Sequence, residues 1–178
     1  MKILFCDNSL RELVNFRGPV FDNLAEEGNQ IILLSPINSD YTPSSKNIRL
    51  ENIKMDRGGA NPLKDLKYFF KLLSIYKRER PDFVFHYTIK PNIYGTFASR
   101  LLGIKSAVMI AGLGYTFSGK GLKCNIARNF YKFALKFADK ILVLNEGNLK
   151  TLLDFKIAPA DRFVLLPGGE GVDVERFK

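Results

Sequence analysis

Short apolar runs, each the length of one strand, alternate along the chain with longer stretches in which apolar residues recur every three or four positions. The runs fall near residues 2–7, 30–35, 48–54, 82–88, 106–111, 140–145 and 162–166. Buried parallel strands read as near-continuous apolar runs, and strands that alternate with helical stretches build βαβ units. The pattern predicts an α/β fold of the Rossmann-like kind, a three-layer arrangement in which a parallel sheet is flanked by helices.

Local signals place some of the helices. The first is expected from about Pro19 to Glu27, with Pro19 at a first helical position and Gly28 just past the last turn. Residues 35–46 are rich in Pro, Ser and Asn, lack periodicity and read as a loop. Between 63 and 79, Leu63, Leu66, Phe70, Leu73 and Tyr76 form a stripe expected to face the sheet, and Pro81 stops the helix before the next strand. Between 121 and 138, Arg128, Lys132, Lys136 and Lys140 recur every four residues as a basic ridge, with Phe130, Phe133 and Phe137 alongside.

Length and charge sharpen this picture. With 178 residues and 46% apolar content the chain suits one ordinary domain. The formal charge of +9 is local: residues 61–80 hold six basic and two acidic side chains, residues 120–140 six and one, and the rest balances. A positive field so confined suggests a patch facing an anionic partner. The short run after Met1 lacks the length of a signal-peptide core, and no apolar stretch approaches the roughly 20 residues that span a bilayer. A cytoplasmic protein is therefore expected. Cys6 and Cys124, the only cysteines, supply neither a disulfide framework nor a metal cluster.

Candidate chemistry gathers where strands should end, because open parallel sheets bind ligands at their carboxyl edge. The first turn runs from Asp7-Asn8-Ser9 to Arg17-Gly18-Pro19 without a G-x-G-x-x-G, which weighs against a dinucleotide-dependent dehydrogenase. The fourth strand leads into His86-Tyr87-Thr88-Ile89-Lys90-Pro91-Asn92. Lys90 there suits a phosphate or a sugar hydroxyl or simply solvent, Asn92 suits a helix cap, and His86 is either a packed core residue or a proton-transfer group. Gly112 and Gly114 follow the fifth strand, where glycine permits a close approach to ligand or only a turn. Asn145 follows the sixth and serves either the cleft or the next helix. No nucleophile with its base, paired carboxylates or metal cluster emerges, so no catalytic residue is assigned.

Taken together, Thr88-Ile89-Lys90-Pro91-Asn92-Ile93-Tyr94-Gly95, Gly112-Leu113-Gly114-Tyr115-Thr116-Phe117, Asn145-Glu146 and the ending Gly169 to Phe177 resemble the family 4 glycosyltransferases, retaining enzymes of the GT-B fold. Among these the chain is most similar to bacterial transferases that add a hexose or N-acetylhexosamine to a polyprenyl-diphosphate-linked sugar, such as the N-acetylgalactosaminyltransferases of bacterial N-glycan assembly. The resemblance implies an N-terminal, acceptor-side domain over residues 1–168, the start of a hinge at 169–178, and a C-terminal donor-binding domain beyond. It implies a nucleotide sugar, UDP-linked, as donor, with no separate cofactor and no metal, and a role in capsule, lipopolysaccharide or related glycan assembly. Gly18, Thr88, Lys90, Asn92, Gly112, Gly114 and Asn145 would line the cleft wall. Many family members carry a His after the fifth strand that contacts the donor sugar, where this chain has Ala111 and Gly112.

A lipid-diphosphate acceptor gives the basic helices a purpose. Arg128, Lys132, Lys136 and Lys140 are expected to dock on the anionic inner face of the cytoplasmic membrane. The rival readings are a nucleic-acid-binding module, for which the sequence holds a basic patch but no motif, and a non-catalytic nucleotide- or carbohydrate-binding domain. The isolated domain is expected to be inactive.

Overall fold

A computed structural model of the chain describes residues 1–57, 61–114, 117, 119 and 121–166. All seven expected runs form strands: β1 (Lys2–Cys6), β2 (Gln30–Ser35), β3 (Ile48–Asn52), β4 (Phe83–Tyr87), β5 (Lys105–Ile110), β6 (Lys140–Val143) and β7 (Phe163–Leu165). They build one sheet in the order β3-β2-β1-β4-β5-β6-β7, and every neighbouring pair is parallel. The expected hinge at 169–178 lies outside the described residues.

Side chains that alternate along each strand divide the core. From β1, Ile3 and Phe5 join α1 (Leu10–Glu26) on one face, and Leu4 and Cys6 join α2 (Pro62–Glu79) on the other. From β5, Met109 faces α1, and Val108 and Ile110 pack against α4 (Leu122–Leu135) and α5 (Glu146–Asp154). Between β4 and β5 the chain makes a π-helical turn at Pro91–Gly95 that runs into α3 (Thr96–Leu101). Two helical layers thus enclose a sheet buried on both sides, the expected Rossmann-like architecture.

Three expectations about helices need correction. The first helix starts at Leu10, nine residues before Pro19, so Gly18 is a buried helix residue rather than part of a loop. The cause is local: Ser9 accepts a hydrogen bond from the Glu12 backbone N–H at 3.3 Å and caps the helix, and Pro19 is accommodated within it. In α2 the buried stripe is Tyr68, Leu72, Ile75 and Tyr76, and Leu63, Leu66 and Phe70 are exposed. The helix carries two apolar stripes, and the one with tyrosines turns inward because the core supplies partners for their hydroxyls, Cys6 Sγ for Tyr68 and His86 Nε2 for Tyr76. The basic ridge breaks as well. The helix stops at Leu135, Lys136 is its cap, and Lys140 opens β6 with its Nζ donating to the Asp161 carbonyl at 3.2 Å.

Candidate functional site

The chain winds from β1 outward to β3, then returns past β1 to β4 and proceeds in the opposite direction. At that reversal the segments after β1 and β4 diverge and leave a crevice at the carboxyl edge of the sheet. A cavity of about 290 Å³ lies there. Its walls come from the turn after β1 (Asn8), helix α1 (Arg17), the segment after β3 (Met55 and Arg57), the turn after β4 (Thr88 to Lys90) and the end of β5 (Ala111 and Gly112).

Arg17 is the central cation. It occupies a core position of α1, in the stripe Leu10, Leu13, Val14, Phe21, and is itself buried. Its guanidinium carbon stands 3.8 Å over the centre of the Tyr87 ring, and Nη1 is 3.7 Å from the Asp7 carboxylate. Burial pushes the Asp7 carboxyl up to about 6, against the pull of the Asn8 backbone N–H and the Arg17 and Arg57 charges. Exposed Arg57 donates from Nη2 to Asn8 Oδ1 at 3.2 Å.

The turn after β4 is strained. Thr88 has φ of +66°, a conformation costly for a β-branched residue, and its hydroxyl donates to the Tyr87 carbonyl at 2.5 Å. Lys90 lines the cavity, and its Nζ contacts Asp65 at 2.6 Å, which ties the turn to the start of α2. Asn92 is a buried residue of the π-helical turn, not the helix cap expected for it. Its Nδ2 donates to the Met109 carbonyl at 2.9 Å and to Tyr131 Oη at 3.0 Å, which joins the turn to β5 and α4. Through these bonds Asn92 sets the back wall of the cavity.

Of the expected cleft residues, Thr88, Lys90, Asn92 and Gly112 come together on this cavity. Gly18 sits inside α1 next to Arg17, and Asn145 caps α5 by accepting from the Asn148 N–H at 2.8 Å. Gly114 stands apart from the cavity lining, with φ of +55°. His86 is a core residue: its Nε2 pairs with Tyr76 Oη at 2.9 Å, and burial drives its pKa down to about 3. Arg17, Arg57 and Tyr131 were missed. A lone Arg in the apolar stripe Leu10-Leu13-Val14-Phe21 was the available signal for the first.

Among the described residues the lining therefore carries three cations, Arg17, Arg57 and Lys90, and no carboxylate. Asp7 and Asp65 stand behind Arg17 and Lys90. Such walls attract an anion, with a strained turn at one side and an aromatic floor.

Residues 2–145 match the model of the family described as Glycosyl transferase 4-like. The chain is 28% identical over 155 residues to the N,N'-diacetylbacillosaminyl-diphospho-undecaprenol alpha-1,3-N-acetylgalactosaminyltransferase of Campylobacter jejuni, a match covering 83% of this chain and 41% of that protein. Among solved structures it is similar to the Rickettsia bellii UDP-N-acetylglucosamine 2-epimerase (TM-score 0.66, 15% identity, 96% of this chain and 45% of that one). Acinetobacter baumannii MurG also matches, with a TM-score of 0.59 and 19% identity over 98% of this chain and 47% of that one. Anabaena HepE, solved with UDP and glucose, gives a TM-score of 0.64 at 15% identity, covering 98% of this chain and 46% of that one. At these identities the structural likenesses establish the fold.

Proposed function

Because this chain belongs to the Glycosyl transferase 4-like family, we propose that it forms the acceptor-side half of a transferase that moves a hexose or N-acetylhexosamine from a UDP-linked sugar to a polyprenyl-diphosphate-linked or polysaccharide acceptor. The observation that carries the reading is the cationic cavity at the strand-order reversal, which offers an anionic acceptor a seat on this half of a cleft. The chain spans 41% of the length of its Campylobacter jejuni relative, named as an N-acetylgalactosaminyltransferase acting on an undecaprenyl-diphosphate sugar. The donor nucleotide would be held by a C-terminal domain facing this cavity.

The proposal extends to the membrane. No helix among the described residues is long and apolar enough to cross one. On α4, Leu122, Ile126, Phe130 and Phe133 are exposed beside Arg128 and Lys132, an amphipathic surface suited to lying on the anionic inner leaflet as a peripheral protein. Lys136 lies 4.1 Å over the Phe133 ring and Arg128 4.7 Å over the Phe155 ring, so both charges rest on aromatic faces at the surface.

The test is full-length protein assayed with UDP- and GDP-sugars and a polyprenyl-diphosphate-linked acceptor. Product with a UDP-hexose or UDP-N-acetylhexosamine is expected, and none from the chain alone. Failure of every pairing sinks the reading, and turnover by the chain alone sinks its division of labour.

A further inference from the structure

In sheets of this topology an anion is commonly held by backbone N–H groups of the first strand-to-helix turn. Here that turn is filled by the protein's own groups. The Asn8 N–H donates to the Asp7 carboxylate at 2.5 Å, and the Glu12 N–H donates to Ser9 Oγ. The turn holds no glycine that would let a phosphate approach the backbone closely. Recognition of an anion must pass instead to side chains.

Two guanidiniums face the same cavity from different elements, Arg17 from α1 and Arg57 from the segment after β3. They differ in burial. Arg17 is buried with its guanidinium carbon 3.8 Å over the Tyr87 ring, so its donors are oriented before ligand arrives. Arg57 is exposed and hydrogen-bonds Asn8, so it has room to close over a ligand. Guanidinium forks match phosphate oxygens in pairs, and two forks suit two phosphoryl groups better than one. Lys90 is spoken for by Asp65 and takes a lesser part.

We infer that this cavity is a diphosphate seat, with Arg17 and Arg57 as its binding groups and Asn8 positioning Arg57. The inference rests on the transferase reading for its choice of ligand, since both a lipid-linked acceptor and a nucleotide sugar carry a diphosphate. Arg17 is the fixed half of the seat and Arg57 the closing half.

The test is calorimetric titration of full-length protein with inorganic pyrophosphate, geranylgeranyl diphosphate and UDP, in the parent, Arg57→Ala, Arg57→Lys and Arg17→Lys, with thermal unfolding as a fold control. Arg57→Ala is expected to fold normally, because the side chain is exposed, and to weaken pyrophosphate binding about tenfold. Arg57→Lys should recover only part of that loss, since a point charge cannot replace a fork. A parallel loss confined to geranylgeranyl diphosphate assigns the seat to the acceptor, and one confined to UDP assigns it to the donor. Unchanged binding of all three ligands in folded Arg57→Ala overturns the inference, whatever Arg17→Lys does. Binding is read without turnover, so the two readings fail separately. Protein that binds diphosphate through Arg57 yet transfers no sugar refutes the proposed reaction alone, and active protein indifferent to Arg57 refutes the seat alone.

Discussion

His86 on β4 sits opposite Cys6 of β1, the residue before Asp7, and burial moves the titrations of His86 and Asp7 in opposite directions. His86 keeps its ring neutral down to about pH 3, so unfolding takes up a proton at any pH between there and 6.5, and stability falls as the solution is acidified. Asp7 holds its proton up to about 6 against an ordinary 3.8, so in that interval unfolding releases a proton and stability rises on acidification. Each slope is about 1.4 kcal/mol per pH unit, and the two oppose between roughly 4 and 6. Replacing one unmasks the other: His86→Gln should lose less stability than the parent, or gain it, from pH 6 to 4.5, and Asp7→Asn should lose more. Urea midpoints across that range decide the matter, and parallel curves for all three proteins refute it. A neighbouring residue gives a test of packing alone. A Cβ on Gly95 would enter the space of the His86 ring and stand 3.1 Å from the Tyr76 hydroxyl. Gly95→Ala should therefore cost about 1–3 kcal/mol in chemical denaturation, as overpacked core positions do; an unchanged midpoint would show that the π-helical turn yields freely.

At the scale of elements, strands were legible and helix faces were not. A parallel strand buried on both sides needs an apolar run, and Ile31 to Leu34 or Val108 to Ile110 could serve little else. A helix needs only one apolar stripe, and α2 carries two that share Tyr76, so periodicity alone could not rank them. The deciding fact was tertiary: Cys6 and His86 stand where tyrosine hydroxyls can meet them. The first helix failed for a different reason. Pro19 looked like a start, although Ser9 and Glu12 at three-residue spacing already carried the capping signal. Ser9→Ala should lower stability by about 1 kcal/mol, seen as a drop in thermal midpoint, and Pro19→Ala should not lower it. The opposite ranking would return the helix start to Pro19. The site was half legible, because Thr88, Lys90, Asn92 and Gly112 lie in one strand-end turn or just after a strand. Arg17, Arg57 and Tyr131 come from two helices and a distant segment that only the fold brings together.

For the whole molecule, the parallel sheet sets where the proposed membrane contact would meet the cavity. Each helix that follows a strand begins at the carboxyl edge and runs back along the sheet, so the first turns of α2 and α4 lie on the same side as the cavity mouth. The contact of Asp65, in the first turn of α2, with Lys90 of the cavity wall bears this out. Tyr94 joins the two helices, its ring 6.1 Å from Tyr68 of α2 and 6.2 Å from Phe130 of α4. Leu63 and Leu66 on one helix and Leu122 and Ile126 on the other are exposed in those early turns, so the apolar surface borders the cavity rather than the far end of the basic ridge. Lys136 and Lys140 close α4 and open β6, at the opposite edge. A surface that seats the acceptor's lipid portion should use the near edge for insertion and the lysines mainly for attraction. Leu63→Ser with Leu66→Ser, Leu122→Ser and Ile126→Ser is then expected to lower sedimentation with anionic liposomes at every salt concentration. Lys132→Glu with Lys136→Glu should lower it chiefly at low salt, because exposed charges are screened within about 10 Å at 0.1 M. Full binding by the serine variant would place the membrane contact elsewhere. Salt-independent loss in the glutamate variant would mean that the ridge inserts as well as attracts, and that the acceptor reaches the cavity from the other edge.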